Sequence, residues 1–110
     1  RLNHLFLDFS SISECRFNNS RLHAVVFAGS ELVENDFTHT DILYCNFNGV
    51  RCTDTTFNES DLYASRFINS RIKRTGFRDC NLQRVHFEYS RITDADYQYS
   101  NTADAYFEEQ

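Results

Sequence analysis

The chain has 110 residues, no Pro, Met or Trp, three Gly and eleven Phe, and a net charge of −5. That length holds one domain with a modest core, residues 1–110, and so little Pro and Gly beside so much Phe excludes a disordered linker. The longest apolar runs fall far short of a membrane span, and no signal-peptide pattern opens the chain.

Charge is unevenly spread: residues 1–60 carry −4, residues 61–93 carry +4 and residues 94–110 carry −5. A chain this acidic, with so short a basic stretch, is not expected to bind nucleic acid directly.

From Leu2 onward every fifth position is large and apolar: Leu7, Ile12, Phe17, Leu22, Phe27, Leu32, Phe37, Ile42, Phe47, then Cys52. The series continues through Phe57, Leu62, Phe67, Ile72, Phe77, Leu82, Phe87, Ile92, Tyr97, Thr102 and Phe107. Only Cys52 and Thr102 break it, and no insertion shifts its phase. A step of five alternates faces on a strand and forms no stripe on an α-helix. The chain must therefore turn after each apolar residue so that the next also points inward. Four such turns close a square, and twenty residues complete one coil. The residue two before each centre is mostly small, as at Ser30, Thr40, Cys45, Ser60, Ser65 and Ser70, and is expected to face inward with it.

This pattern of a small residue, a polar one, a central Leu or Phe and two polar positions resembles the pentapeptide-repeat family over essentially the whole chain. The resemblance implies an all-β fold, a right-handed quadrilateral β-helix of about five and a half coils with four pentapeptides per coil. Residues twenty apart then stack. Two facing walls are aliphatic, one with Leu22, Ile42, Leu62 and Leu82 and one with Leu32, Ile72 and Ile92. The other two are aromatic, with Phe27, Phe47, Phe67 and Phe87 on one and Phe37, Phe57 and Phe77 on the other. At about 4.8 Å between coils the rod is roughly 26 Å long. Gly29, Gly49 and Asn69 share one corner, where tolerance of positive φ suits a tight turn.

The remaining residues are weighed as surface. Cys15, Cys45, Cys52 and Cys80 fall on four different walls, so they read as buried, free space-fillers, which suits a cytoplasmic setting better than a secreted one. His4 and His23 meet at one corner with no Cys or carboxylate at ligand spacing, so neither a metal nor any other cofactor is expected. His86 sits beside Arg66 in outward register. Carboxylate pairs such as Glu31/Glu34 and Asp94/Asp96 lie on an open wall with no desolvated cleft, so no catalytic residue is assigned. Asn18 and Asn58 begin Asn-x-Ser sequences, acceptors only in a secretory context.

Two outward features remain as candidate partner-binding sites. Leu43, Tyr44 and Tyr63 project at one corner beside Ala24 and Ala64. On another wall Glu31, Arg51, Arg71 and Arg91 stack one per coil, with Lys73 and Arg74 beside them. Glu14, Glu34, Asp54 and Asp94 occupy the same wall's turn and are expected to neutralise that row, which otherwise offers a face for an acidic partner. Phe6, Phe9, Tyr99 and Tyr106 fall outside the inward register near the ends. They are expected to fold over the ends or to form an end-to-end homodimer contact, in a module of a longer chain or one that dimerises.

The leading expectation is a non-enzymatic interaction module that presents side-chain ladders to a protein partner. Phe-rich members of the family include quinolone-resistance proteins that mimic duplex DNA and engage DNA gyrase or topoisomerase IV, a type II topoisomerase partner that the acidic balance also suits. The stretch "DLYASRFINSRI" in addition resembles the luminal domain of the synaptic vesicle glycoprotein family, a neurotoxin receptor.

Overall fold

The computed structural model describes residues 1–107. Eight strands of two or three residues follow one another: β1 (Leu2–Asn3), β2 (Ser11–Ser13), β3 (Arg21–His23), β4 (Glu31–Val33), β5 (Asp41–Leu43), β6 (Arg51–Thr53), β7 (Arg71–Lys73) and β8 (Arg91–Thr93). Their order, β1-β3-β5 in one sheet and β2-β4-β6-β7-β8 in another, is wholly parallel and pairs residues twenty apart, as in Leu22↔Ile42 and Ile72↔Ile92. The other two sides are held by single parallel bridges such as Val26↔Asn46 and Thr56↔Gly76. The result is a β-solenoid of about five turns, 29 Å in its longest dimension.

Each corner is made the same way. Every fifth residue from His4 to Asp104 has positive φ, between 47° and 70°. An L-residue tolerates that conformation only without a branched Cβ. No Val, Ile or Thr stands at this position in any repeat, whereas the residue just before it includes Val33, Thr38, Thr53, Ile68 and Thr93. The glycines mark such backbone at the Gly29 corner alone; it recurs at all four.

Inside, the two aromatic walls interlock. Rings along one wall stack nearly flat, Phe47 on Phe67 at 4.6 Å and Phe37 on Phe57 at 4.8 Å. Across the core the walls are staggered and meet edge to face, Phe37 with Phe47 at 6.3 Å and Phe57 with Phe67 at 5.7 Å. Each Phe from Phe27 to Phe87 is buried, and removing one such side chain from water contributes about 1.5–3 kcal/mol before ordering entropy is subtracted. Burial fades toward the described ends: Leu2, Leu7, Ile12, Phe17 and Tyr97 are only partly covered. Ile92, read as core, is likewise half-buried, because no described coil lies beyond it on its wall.

The small inward residues do more than fill space. Ser65 Oγ accepts the Cys45 N–H (3.0 Å) and donates to the Ile42 carbonyl (2.7 Å), bridging two polar groups of the preceding coil. Ser30, Thr40, Ser60, Ser70, Ser90 and Ser100 donate in the same way to the carbonyls of Leu7, Phe17, Phe37, Phe47, Phe67 and Phe77. Where the residue above is Val50, Val85 or Ala105, no hydroxyl is on offer. There the N–H below closes a turn onto the preceding centre, Ser30 to Phe27 (3.0 Å), Ser65 to Leu62 (3.0 Å) and Val85 to Leu82 (3.1 Å). Buried backbone groups are thus paired by one of two routes, as burial requires.

Two expectations need correction. Cys15 is exposed, since its wall has no described coil beneath it; Cys45, Cys52 and Cys80 are buried, and all four thiols are free. Phe9, Tyr99 and Tyr106 pack along the sides instead of folding over the ends. Phe9 lies over Gly29, where a Cβ would meet its ring at 2.7 Å, Tyr106 stacks on His86 at 4.4 Å, and Arg78 sits over the Tyr99 ring at 5.7 Å.

Candidate functional site

With centres and small residues turned inward, any recognition chemistry belongs to the outward positions. On the wall of β1, β3 and β5 two columns run up the rod. One reads Asn3, His23, Leu43, Tyr63, Gln83 and the other His4, Ala24, Tyr44, Ala64, Arg84. Ring and small residue alternate in the second column, so the rings form a zigzag that crosses between the columns. His4–His23, His23–Tyr44 and Tyr44–Tyr63 each have centroids 5.8 Å apart, and the last two pairs are edge to face. Ala24 and Ala64 stand beside the rings, each half-buried.

Tyr44 sits at a positive-φ corner and is exposed, while Leu43 and Tyr63 are half-buried. The Tyr63 N–H is anchored on Asp61 Oδ1 at 3.1 Å. Edge-to-face pairs are worth about 0.5–1.5 kcal/mol each beyond burial, so the row is pre-organised before any partner arrives. Leu43, Tyr44 and Tyr63 were legible in the sequence as a patch. His4 and His23 were read there only as a corner pair, and they extend the row by two rungs.

Strand register puts Glu31, Arg51, Arg71 and Arg91 in one column, about 4.8 Å apart. The turn acids do not neutralise it. Asp54 is taken by Arg74, whose Nε and Nη2 reach its two oxygens at 2.6 and 3.1 Å. That paired hydrogen bond holds the Asp54 carboxyl below its ordinary pKa and raises the Arg74 guanidinium. Among the described residues, Arg51, Arg71, Arg91 and Lys73 have no carboxylate within 4.0 Å. Side-chain reach decides this, and the sequence does not show it.

The diagonally opposite edge is acidic. Glu59 and Asp79 occupy its corner column, with Asp41 and Asp61 in register just beyond. Asp41 lies 3.8 Å from Arg21, and Glu59 is 2.9 Å from His39.

The other titratable groups are tied into the surface or the core. His86 Nδ1 lies 3.1 Å from Glu88, and no three His, Cys, Asp or Glu among the described residues are placed to hold a metal ion. Burial pushes the thiols of Cys45, Cys52 and Cys80 up to about 11, far from reactive. Tyr97 takes a Phe position; its hydroxyl has no partner among the described residues, and burial raises its pKa. Asn58 is engaged: its Oδ1 accepts the Arg78 N–H at 2.9 Å, in a niche that the absent side chain of Gly76 leaves open. Its neighbour Ser60 is buried with its hydroxyl donated to Phe37, which closes that Asn-x-Ser sequence in the folded state.

Residues 40–110 match the sequence model described as "Pentapeptide repeat region". The chain belongs to the pentapeptide-repeat family. No curated protein matches its sequence. Among solved structures, a pentapeptide repeat protein of the Arabidopsis thaliana thylakoid lumen superposes with TM-score 0.70 at 20% identity, over 81% of this chain and 66% of that one. A pentapeptide repeat protein from the cyanobacterium Cyanothece 51142 gives TM-score 0.67 at 9% identity, over 96% of this chain and 85% of that one. Trypsin-treated QnrB1, a plasmid-mediated fluoroquinolone resistance protein, gives 0.53 at 20% identity, over 93% of this chain and 57% of that one. At such identities the likeness shows the fold. What a pentapeptide-repeat chain recognises is set by its outward columns, and the ring row and the arginine column are features of this one.

Proposed function

We propose that this pentapeptide-repeat chain is a non-enzymatic interaction module whose docking surface is the ring row His4–His23–Tyr44–Tyr63. The observation that carries the reading is the zigzag itself: three successive ring pairs at 5.8 Å on an outward wall, beside the small residues Ala24 and Ala64. The partner is a protein that lays an apolar or aromatic segment against those rings. Rigid aromatic anchors of this kind dominate interfaces because little rotamer freedom is lost when they bind. Three buried free thiols suit a reducing, cytoplasmic setting. Affinity capture with the wild-type chain beside Tyr44→Ser/Tyr63→Ser tests the reading. A specific captured protein is lost with the variant and kept with Arg71→Glu on another wall. Equal capture by wild type and the Tyr variant refutes it.

A second reading is favoured by the acidic edge of Asp41, Glu59, Asp61 and Asp79: mimicry of a nucleic-acid backbone toward a type II topoisomerase. The arginine column on the opposite edge limits such mimicry to one side of the rod. In a gyrase supercoiling assay with a quinolone, this reading expects relief of drug inhibition by wild type and not by an Asp41→Lys/Glu59→Lys/Asp79→Lys variant. No effect of the wild-type chain removes it.

A further inference from the structure

We propose that the arginine column binds the acidic edge of a second copy of this chain, so that rods join side by side. The two edges are built from the same kind of corner: Asn69, Ser70 and Arg71 on one, Glu59, Ser60 and Asp61 on the other. Both present a positive-φ residue, a buried serine and then the first outward residue of the next wall. Ten residues separate the corners within a coil, which is half of the twenty that complete it, so they lie at opposite ends of the square's diagonal.

That placement has a direct consequence. Arg51, Arg71 and Arg91 cannot reach the acids of their own chain's far edge, and no nearer carboxylate among the described residues claims them. Glu31 stands one rung from Arg51, but repulsion among the three arginines, about 4.8 Å apart, is relieved by no ion pair within 4.0 Å among the described residues. A partner that relieves it must offer carboxylates at the same rise. An extended peptide running along the column does not, since its same-side residues repeat at about 6.6 Å. Another solenoid does, because its columns share the coil spacing by construction.

This chain carries such a column. Asp41 and Asp61 are in register on adjacent coils, and Glu59 and Asp79 run beside them. The four acids and the three arginines span overlapping heights on the rod. A second copy shifted sideways, with its axis pointing the same way, sets two of the arginines at a time against the two-rung columns Asp41/Asp61 and Glu59/Asp79. The guanidinium groups then form forked hydrogen bonds to Asp79 and displace Arg21 and His39 from the exposed Asp41 and Glu59. Each contact leaves one basic and one acidic edge open, so the arrangement extends into a row of rods.

An edge is narrow. The contact falls below the roughly 1,200 Å² of a stable standard interface, so it is weak, reversible and sensitive to salt.

Sedimentation velocity tests this on the whole chain. Wild type is expected to show a weight-average sedimentation coefficient that climbs with concentration in about 20 mM salt and is flat in about 500 mM salt. Arg51→Glu/Arg71→Glu/Arg91→Glu and Asp41→Lys/Glu59→Lys/Asp79→Lys change only exposed side chains, and each variant alone stays monomeric. Mixed in equal amounts they associate again, because one supplies two acidic edges and the other two basic ones. A wild-type chain that stays monomeric at low salt overturns the proposal, whether or not an acidic polymer binds the arginines. So does association that either variant leaves unchanged.

Discussion

Replacing Ser65 by Ala and, separately, Ser70 by Ala puts the two backbone-pairing routes to a quantitative test. Both serines are buried, both donate to a centre's carbonyl, and their volumes and positions in the repeat are equivalent. They differ in what else depends on them. Ser65 Oγ also accepts the Cys45 N–H at 3.0 Å. Below Ser70 the equivalent N–H, that of Val50, already donates to the Phe47 carbonyl at 3.2 Å, and that carbonyl is the one Ser70 binds.

Ser65→Ala therefore strands a buried donor as well as removing a hydrogen bond from the Ile42 carbonyl. Leaving a buried backbone group unpaired costs about 1–3 kcal/mol. Ser70→Ala leaves both backbone groups paired and costs about 0.5–1.5 kcal/mol, the net value of one ordinary hydrogen bond. Urea unfolding followed by far-ultraviolet circular dichroism measures both, and amide exchange at Cys45 localises the first. The expected outcome is a larger loss for Ser65→Ala, with faster exchange at Cys45. Equal losses, or a larger one for Ser70→Ala, would refute the division into two routes.

Phe57→Ala removes a ring stacked on Phe37 at 4.8 Å and Phe77 at 5.1 Å. The expected loss in urea unfolding is about 3–5 kcal/mol, and a loss near 1 kcal/mol means that the core collapses around the gap. Ala24→Val places a branched Cβ at φ 55° and is expected to cost about 1–3 kcal/mol in thermal unfolding, whereas Ala24→Asn is close to neutral. A thiol-reactive dye is expected to label Cys15 quickly and the other three cysteines only on unfolding; fast labelling of more than one contradicts the assigned burial. The three buried thiols are raised from 9.0 to about 11, so above pH 9 the unfolded chain loses protons that the folded chain keeps. Stability is then complete below pH 9 and falls as pH rises from 9 toward about 11, and a Cys→Ser variant at Cys45 and Cys80 flattens that fall.

The solenoid was legible because a period of five admits one way to bury every centre, and an uninterrupted phase from Leu2 to Phe107 fixes which residues stack. The aromatic and aliphatic walls followed from adding twenty to each number. Corner backbone was half-legible: glycines marked one corner, while the wider signal was the absence of Val, Ile and Thr from the residue two after each centre. The paired roles of Ser65 and Ser70 were not legible, because the N–H below each takes a different partner, Ser65 Oγ for Cys45 and the Phe47 carbonyl for Val50, although a hydroxyl stands one coil further on in both. The outward columns were read in part. Leu43, Tyr44 and Tyr63 share a corner by arithmetic, but the histidines join them only through ring orientation. Arg51, Arg71 and Arg91 align by register alone, whereas the pairing of Asp54 with Arg74 depends on side-chain reach.

The central claim is that inward residues hold the rod and the outward ring row does the recognising. Photo-crosslinking from a benzoylphenylalanine in place of Tyr44, compared with the same group in place of Thr38 on a neighbouring wall, tests it most directly. Crosslinks to one partner protein from position 44 and none from position 38 are predicted. Equal crosslinking from both positions, or crosslinking from position 38 alone, would contradict it.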